Sequence, residues 1–318
     1  MALFGTDGVR GVAGVDLTAE LAFNLSTAAA SVLADLGEFA GHRPTAIVGQ
    51  DSRASGQYLE EAICRGLSSA GIDVYRVGIL PTPAISFLVK DRGADLGVMI
   101  SASHNPASDN GIKFFDRTGS KLADQIEAKI ESVLGKTVEI TNGVGRVIED
   151  LEAKESYIKN LLKSLDGNLS GLKVVVDCAN GAASFVAPDV LKRAGAEVIA
   201  ISASPNGLNI NDNCGSTHLE NLIEAVKRQG ADIGIAHDGD ADRVLAIDDK
   251  GSVIDGDFIL GILAQDIQLP TKTVVGTVMT NLGLIKALEE KGIKFIATAV
   301  GDRYVLEEML AGGHILGG

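Results

Sequence analysis

Cysteine is scarce in this chain. Its three thiols, Cys64, Cys178 and Cys214, are odd in number and far apart, which argues against a disulfide framework and gives no zinc-ligand spacing. They read as buried thiols kept reduced in a cytosol. Basic residues are also short: 28 Lys and Arg against 42 Asp and Glu give a formal net charge of −14. A general nucleic-acid binder needs a cationic face for the phosphate backbone, so that class is set aside. An anionic substrate must instead be met by cations gathered locally. Long hydrophobic runs are missing as well. Residues 1–14 hold no apolar run of signal-peptide length, and no stretch is long enough to span a bilayer. A cytoplasmic enzyme or binding protein without nucleic-acid or membrane partners remains.

What is present points to layered α/β architecture. The 318 residues are 46% hydrophobic and 22% charged, which fits two or three globular domains. The 38 glycines lie between periodic segments, as many tight strand-to-helix turns require. A unit of strand, helix, strand, helix, strand and loop recurs. It reads first as strand 45–49, helix 56–69, strand 73–77, a helix after Pro81-Thr82-Pro83, and a strand that follows Ala94-Asp95 and ends at Ile100. It returns as strand 173–177, helix 183–193, strand 198–201, helix 219–229 and strand 231–236. A third copy runs through strand 273–276, helix 284–290, strand 294–298 and helix 301–310, with its last strand expected at 314–316. A helix over 18–36 with Thr18 as N-cap precedes the first unit, and an amphipathic helix over 151–165 joins the first to the second. The expected fold class is α/β: successive α/β/α domains with mostly parallel mixed sheets and helices on both faces. The divisions fall at 1–150, 151–250 and 251–318, with a connector over 140–147 and a turn at Asp248-Asp249-Lys250-Gly251, and the third copy reads as incomplete.

Chemistry gathers where strands end. Ser101-Ala102-Ser103-His104-Asn105-Pro106 follows a short apolar strand and closes on a proline, and loops at the carboxyl ends of strands are where open α/β sheets bind ligands. Asp238, Asp240 and Asp242 alternate with small residues after another strand, so in an extended loop they project to one side. Converging carboxylates need a cation, and an all-oxygen donor set favours magnesium or calcium. Arg243 directly follows them. If the two loops share a cleft, a serine beside a divalent ion suggests phosphoryl transfer with Ser103 carrying the phosphate. Lys113 can reach the same cleft as acid or base, and His104 can orient the serine loop. Near the start, Gly5, Gly8 and Gly11 surround Arg10, whose planar fork suits a phosphate.

Taken together, Gly5-Thr6-Asp7-Gly8-Val9-Arg10-Gly11, the serine loop, Asp109-Asn110-Gly111-Ile112-Lys113-Phe114-Phe115, Asp238-Gly239-Asp240-Ala241-Asp242-Arg243 and Val300-Gly301-Asp302-Arg303-Tyr304-Val305 resemble the α-D-phosphohexomutase family, from Phe4 to the last glycine. Pro205-Asn206-Gly207-Leu208-Asn209-Ile210-Asn211 fits its amino-sugar branch. The resemblance implies a phosphorylated nucleophile at Ser103 and one Mg2+ held by Asp238, Asp240, Asp242 and the phosphoserine. It implies active-site cations at Arg10, Lys113 and Arg243, with Lys113 the acid or base. Gly301, Asp302 and Arg303 would face the sugar. The implied reaction interconverts glucosamine 6-phosphate and glucosamine 1-phosphate through a bisphosphosugar, with a glucose- or glucosamine-1,6-bisphosphate activator; a homodimer is compatible with it. Family members have four domains, so the resemblance also implies a missing fourth domain and impaired turnover.

Three other readings compete. A phosphomannomutase or phosphoglucomutase of the same family would share every catalytic residue. A fragment that binds metal and phosphate without turnover would lack phosphate on Ser103. A magnesium phosphatase would release phosphate without isomerising a sugar.

Overall fold

The computed structural model describes residues 3–5, 7–39, 41–136 and 143–318; Thr6 and residues 140–142 of the expected connector lie outside them. The chain forms two compact units, one ending at Val244 and the other beginning at Leu245.

The first unit opens with β1 (Val9–Val12) and α1 (Ala19–Asp35), followed by β2 (Thr45–Gln50), α2 (Ser55–Ser69), β3 (Asp73–Ile79), α3 (Thr82–Arg92) and β4 (Leu96–Ile100). Thr18 caps α1, its hydroxyl accepting from Leu21 N. Then come β5 (Asp109–Asp116), α4 (Asp124–Ser132) and β6 (Val147–Glu149). These six strands form one sheet in the order β1-β5-β4-β2-β3-β6. Strands β2, β3, β4 and β6 run parallel, whereas β5 pairs antiparallel with both β1 and β4. Period-two alternation divides the side chains: Ala46, Val48, Leu96, Val98, Ile112 and Phe114 join α1, α2 and α4 on one face. Ile47, Met99 and Phe115 join α3 on the other. Each large apolar side chain buried there contributes roughly 1.5–3 kcal/mol.

At the far edge, buried Asp73 accepts from Arg146 N at 2.8 Å, Arg146 Nη2 at 2.6 Å and Arg43 Nε at 2.9 Å. The Arg146 hydrogen bonds hold its carboxyl well below the usual carboxylate range. A depressed folded pKa contributes stability that is present at neutral pH and lost as pH falls through the folded value. Asp73→Asn should therefore lower the thermal midpoint at pH 7, and the deficit should narrow in acid. A deficit of the same size at pH 7 and at pH 3 would contradict this assignment.

The rest of the first unit repeats the plan. It runs α5 (Ala153–Lys163), β7 (Lys173–Asp177), α6 (Ala187–Arg193), β8 (Glu197–Ile201), α7 (Glu220–Gln229) and β9 (Ile233–His237), with β7 parallel to both β8 and β9. The single helix expected over 183–193 is instead a 3-10 turn, Ala182–Phe185, and then α6. Pro188 supplies the reason: its ring would clash with the carbonyl four residues back if the helix were continuous. All three cysteines are free and buried.

The second unit contains most of β10 (Val244–Asp248), which pairs antiparallel with β11 (Val253–Ile254) across the Asp248–Gly251 turn. After α8 (Gly256–Asp266) come β12 (Thr273–Thr277), α9 (Leu282–Glu290), β13 (Lys294–Thr298) and α10 (Asp302–Gly312), with β12 and β13 parallel. The strand expected over 314–316 reduces to one parallel bridge between Gly317 and Val275. Only two hydrogen bonds flank it, Val275 N to Leu316 O and Gly318 N to Val275 O, too few for a ladder. Among the described residues, no helix is long and apolar enough to cross a membrane.

Candidate active site

The serine loop connects β4 to β5, so the apolar strand does end where the sequence pattern predicts. Ser103 adopts φ 54, the left-handed region that a side chain disfavours. Both of its peptide groups are held. Its N–H donates to Ser101 Oγ at 2.9 Å, whose own hydroxyl donates to Asp51 Oδ2 at 2.6 Å. Arg53, anchored to Asp51, donates from Nη2 to Ser103 O at 3.0 Å and Asn105 O at 2.9 Å. Fully buried, the Ser103 hydroxyl donates to Asp238 Oδ2 at 2.6 Å.

Asp238 opens the loop after β9. This loop is not extended: Ala241 takes φ 53, and its N–H donates back to Asp238 O at 3.1 Å. A turn, not strand alternation, makes the three carboxylates converge. One ligand oxygen from each of Asp238, Asp240 and Asp242 lies within 4.8 Å of the others, the only such acidic group among the described residues. The two loops pack backbone to backbone through Gly239, where an added Cβ would lie 2.6 Å from Ser103 O.

Lys113 reaches the cluster from the middle of β5, where it pairs with Met99 of β4. Its ammonium lies 2.9 Å from Asp240 Oδ2, 3.0 Å from Asp7 Oδ2 and 3.6 Å from Asp242 Oδ2. Burial opposes its charge, but Asp240, Asp242 and Asp7 outweigh burial and raise its pKa above the ordinary lysine value. Lys113 is thus held in its acid form. Burial also opposes ionisation of Asp7 and Asp240, and again neighbouring cations win: Lys113 and Lys121 for Asp7, Lys113 for Asp240, helped by Thr82 Oγ1 at 2.6 Å. For Asp238, burial with the adjacent Asp240 and Asp242 carboxylates outweighs the Ser103 hydroxyl and Arg243, whose Nε lies 4.0 Å away, and pushes it up to about 7. Asp242 is raised, chiefly by burial and then by Asp240.

Four further positions frame the cluster. Arg10 pairs with Asp7, and its Nη1 donates to Asn105 Oδ1 at 3.4 Å. Lys121 Nζ lies 2.5 Å from Asp7 Oδ1. Arg243 is half exposed, its Nε 3.8 Å from Asp242 Oδ1. His104 is half buried, and burial followed by Arg243 and Arg10 lowers its pKa, leaving a neutral imidazole. The first unit therefore brings together Ser103, His104, Arg10, Lys113, Asp238, Asp240, Asp242 and Arg243. Gly301, Asp302 and Arg303 belong to the second unit. There Gly301, at φ 143, precedes α10, and the Arg303 guanidinium lies 5.6 Å from the Tyr304 ring centroid.

The residues suit a divalent cation. Asp240 Oδ1 is buried without a hydrogen-bond partner, and the three-carboxylate donor set is all oxygen. Sequence reasoning did not single out Asp7, Asp51, Arg53, Thr82 or Lys121 as site members. Asp51 and Arg53 directly follow β2, so their place at a strand's carboxyl end was the one available signal. The others become visible only through partners distant in the chain.

Fold and loop chemistry together define a family. The chain belongs to the phosphoglucomutase/phosphomannomutase family, whose models for α/β/α domains I, II and III match residues 1–140, 155–251 and 255–318. Curated relatives are more specific: a protein of Streptomyces griseus that is 59% identical over 327 residues, and one of Thermobifida fusca that is 58% identical over 322, are both named phosphoglucosamine mutase. Each match covers 99% of this chain and 72% of the relative. Among solved structures, a phosphoglucomutase/phosphomannomutase family protein of Burkholderia thailandensis aligns with TM-score 0.85 at 27% identity, covering 100% of this chain and 70% of that one. A putative phosphomannomutase of Thermus thermophilus aligns with TM-score 0.85 at 26% identity, covering 99% and 73%.

Proposed function

We propose that this chain interconverts the 6- and 1-phosphates of glucosamine, the activity named for its curated relatives, using phosphate carried on Ser103. The observation that carries the reading is the 2.6 Å hydrogen bond from Ser103 Oγ to Asp238 Oδ2, which joins the nucleophile's loop to the acidic loop across 135 residues. Charge supports it further. Four carboxylates, Asp7, Asp238, Asp240 and Asp242, face four cations, Arg10, Lys113, Lys121 and Arg243. Phosphate on Ser103 adds about −1.5 to −2 charges, which this balance does not cover. Asp238, Asp240 and Asp242, with the serine phosphate, would hold one Mg2+. When bound, such an ion offsets phosphate charge and polarises phosphorus.

The chain's own groups divide the remaining work. A sugar hydroxyl attacks the Ser103 phosphate, the bond from phosphorus to Oγ breaks, and the proton the sugar hydroxyl gives up ends on Oγ. The bisphosphosugar then turns, the Ser103 hydroxyl attacks its other phosphate, and the bond from that phosphorus to the sugar oxygen breaks. Lys113, held as an ammonium, protonates the sugar oxygen that leaves and regains a proton from the one Ser103 Oγ gives up. Arg10 and Arg243 receive phosphate oxygens, and neutral His104 orients the serine loop. Gly301, Asp302 and Arg303 would face the sugar. In this reading 1–150 carries the nucleophile, 151–250 the metal ligands and 251–318 the sugar contacts. A hexose 1,6-bisphosphate recharges Ser103, and the setting is cytoplasmic, consistent with three reduced thiols.

The test mixes the protein with glucosamine 6-phosphate, Mg2+ and a trace of glucose 1,6-bisphosphate. Appearance of the 1-phosphate, together with one phosphate mapped to Ser103 by mass spectrometry, supports the reading. Free phosphate released without isomerised sugar would instead mark a phosphatase.

A further inference from the structure

Asn211 has no role in the chemistry above, yet it touches both loops that make it. Its backbone takes φ 59, and its N–H donates to Ala179 O at 2.9 Å. Its side-chain Nδ2 donates to Ser103 O at 2.9 Å and to Asn105 O at 3.0 Å. Those are the same two carbonyls that accept from Arg53 Nη2. Arg53 is tied to its own neighbour Asp51, whereas Asn211 arrives from the segment after β8, 108 residues from Ser103. An added Cβ on Gly239 would lie 2.9 Å from Asn211 Nδ2. The acidic loop's backbone therefore rests on the same carboxamide that grips the serine loop.

A carbonyl oxygen offers two lone pairs. With Arg53 and Asn211 both donating to Ser103 O, the peptide that follows the serine cannot rotate without breaking buried hydrogen bonds. Ser101 fixes the peptide that precedes it. We propose that Asn211 is a positioning residue for phosphoryl transfer: by holding the Ser103 carbonyl from the segment after β8, against which Gly239 of the acidic loop packs, it aims Oγ at Asp238. The proposal rests on the mutase reading for its chemistry.

Two variants separate backbone from side chain. Asn211→Gly keeps the left-handed conformation and removes the carboxamide; Asn211→Asp keeps the shape and replaces the donor with an anion facing two carbonyls. Dephosphorylated protein is mixed with glucose 1,6-bisphosphate and Mg2+, and phosphate on Ser103 is followed by intact mass. Both variants should slow transfer by about 10- to 100-fold. The half-saturating bisphosphate concentration should change less than about threefold, as expected for an interaction that matters in the transition state. Mn2+ stoichiometry, read by electron paramagnetic resonance, should stay unchanged. Equal transfer rates in wild type and variants would overturn the proposal. So would a loss of rate matched by loss of Mn2+ binding, because Asn211 would then merely hold the fold. If wild-type protein takes up no phosphate, the mutase reading fails on its own, and hydrogen exchange over the serine loop decides the geometric claim: faster exchange in both variants supports it, and unchanged exchange overturns it.

Discussion

Ser103→Ala is expected to take up no phosphate from a hexose bisphosphate and to lose isomerase activity by about 10^3-fold or more, as removal of a nucleophile does elsewhere. Ser103→Gly makes the sharper variant. Glycine accepts φ 54 at no steric cost, relieving roughly 1–2 kcal/mol of left-handed strain. That gain offsets much of the loss of the hydrogen bond to the Asp238 carboxylate, worth about 1.5–3 kcal/mol. A Ser103→Gly protein should therefore melt within a few degrees of wild type while remaining inert, which separates chemistry from folding. Phosphate incorporation in either variant, mapped to another residue, would remove Ser103 from the reaction.

Lys113→Met should have the second largest effect, and it should show in stability as well as rate. The lysine side chain is 1% exposed and lies among Asp7, Asp240 and Asp242. Removing one partner of a buried ionic cluster costs about 3–5 kcal/mol, because the remaining charges stay buried without compensation. Methionine fills similar volume, so the cost is electrostatic and not a cavity. A divalent cation restores positive charge to the carboxylates; Mg2+ should therefore raise the thermal midpoint of Lys113→Met more than that of wild type. Loss of the acid should also lower turnover by about 10^2- to 10^4-fold. A variant that melts like wild type and responds to Mg2+ no more strongly would show that Lys113 does not neutralise the cluster.

The elements that carry the site were legible where their residues obeyed one rule at a time. β4 is apolar and ends in polar residues before a proline, so both strand and loop could be read directly. β5 was not read as a strand. Asn110 and Lys113 are both buried within it, and a buried lysine makes sense only beside acids 127 residues away. Convergence of the three aspartates was expected, but through extended backbone; the left-handed turn at Ala241 achieves it differently. Asp7 lay inside a motif read for its glycines and arginine. Arg53 holds carbonyls of Ser103, Asn105, Pro106 and Asp109, at least 50 residues onward, and no local pattern announces such partners.

Ser103 and Lys113 hang from adjoining strands of a single antiparallel hairpin, β4 and β5, whereas the acidic loop comes from a later part of the chain. Hydroxyl and amine thus share one stiff frame whose spacing is set by the strand ladder. Loosening between the two parts would withdraw the anionic cradle first and leave the hydroxyl and amine in register. Damage of that kind should be reparable by restoring the seam alone, without rebuilding the hairpin.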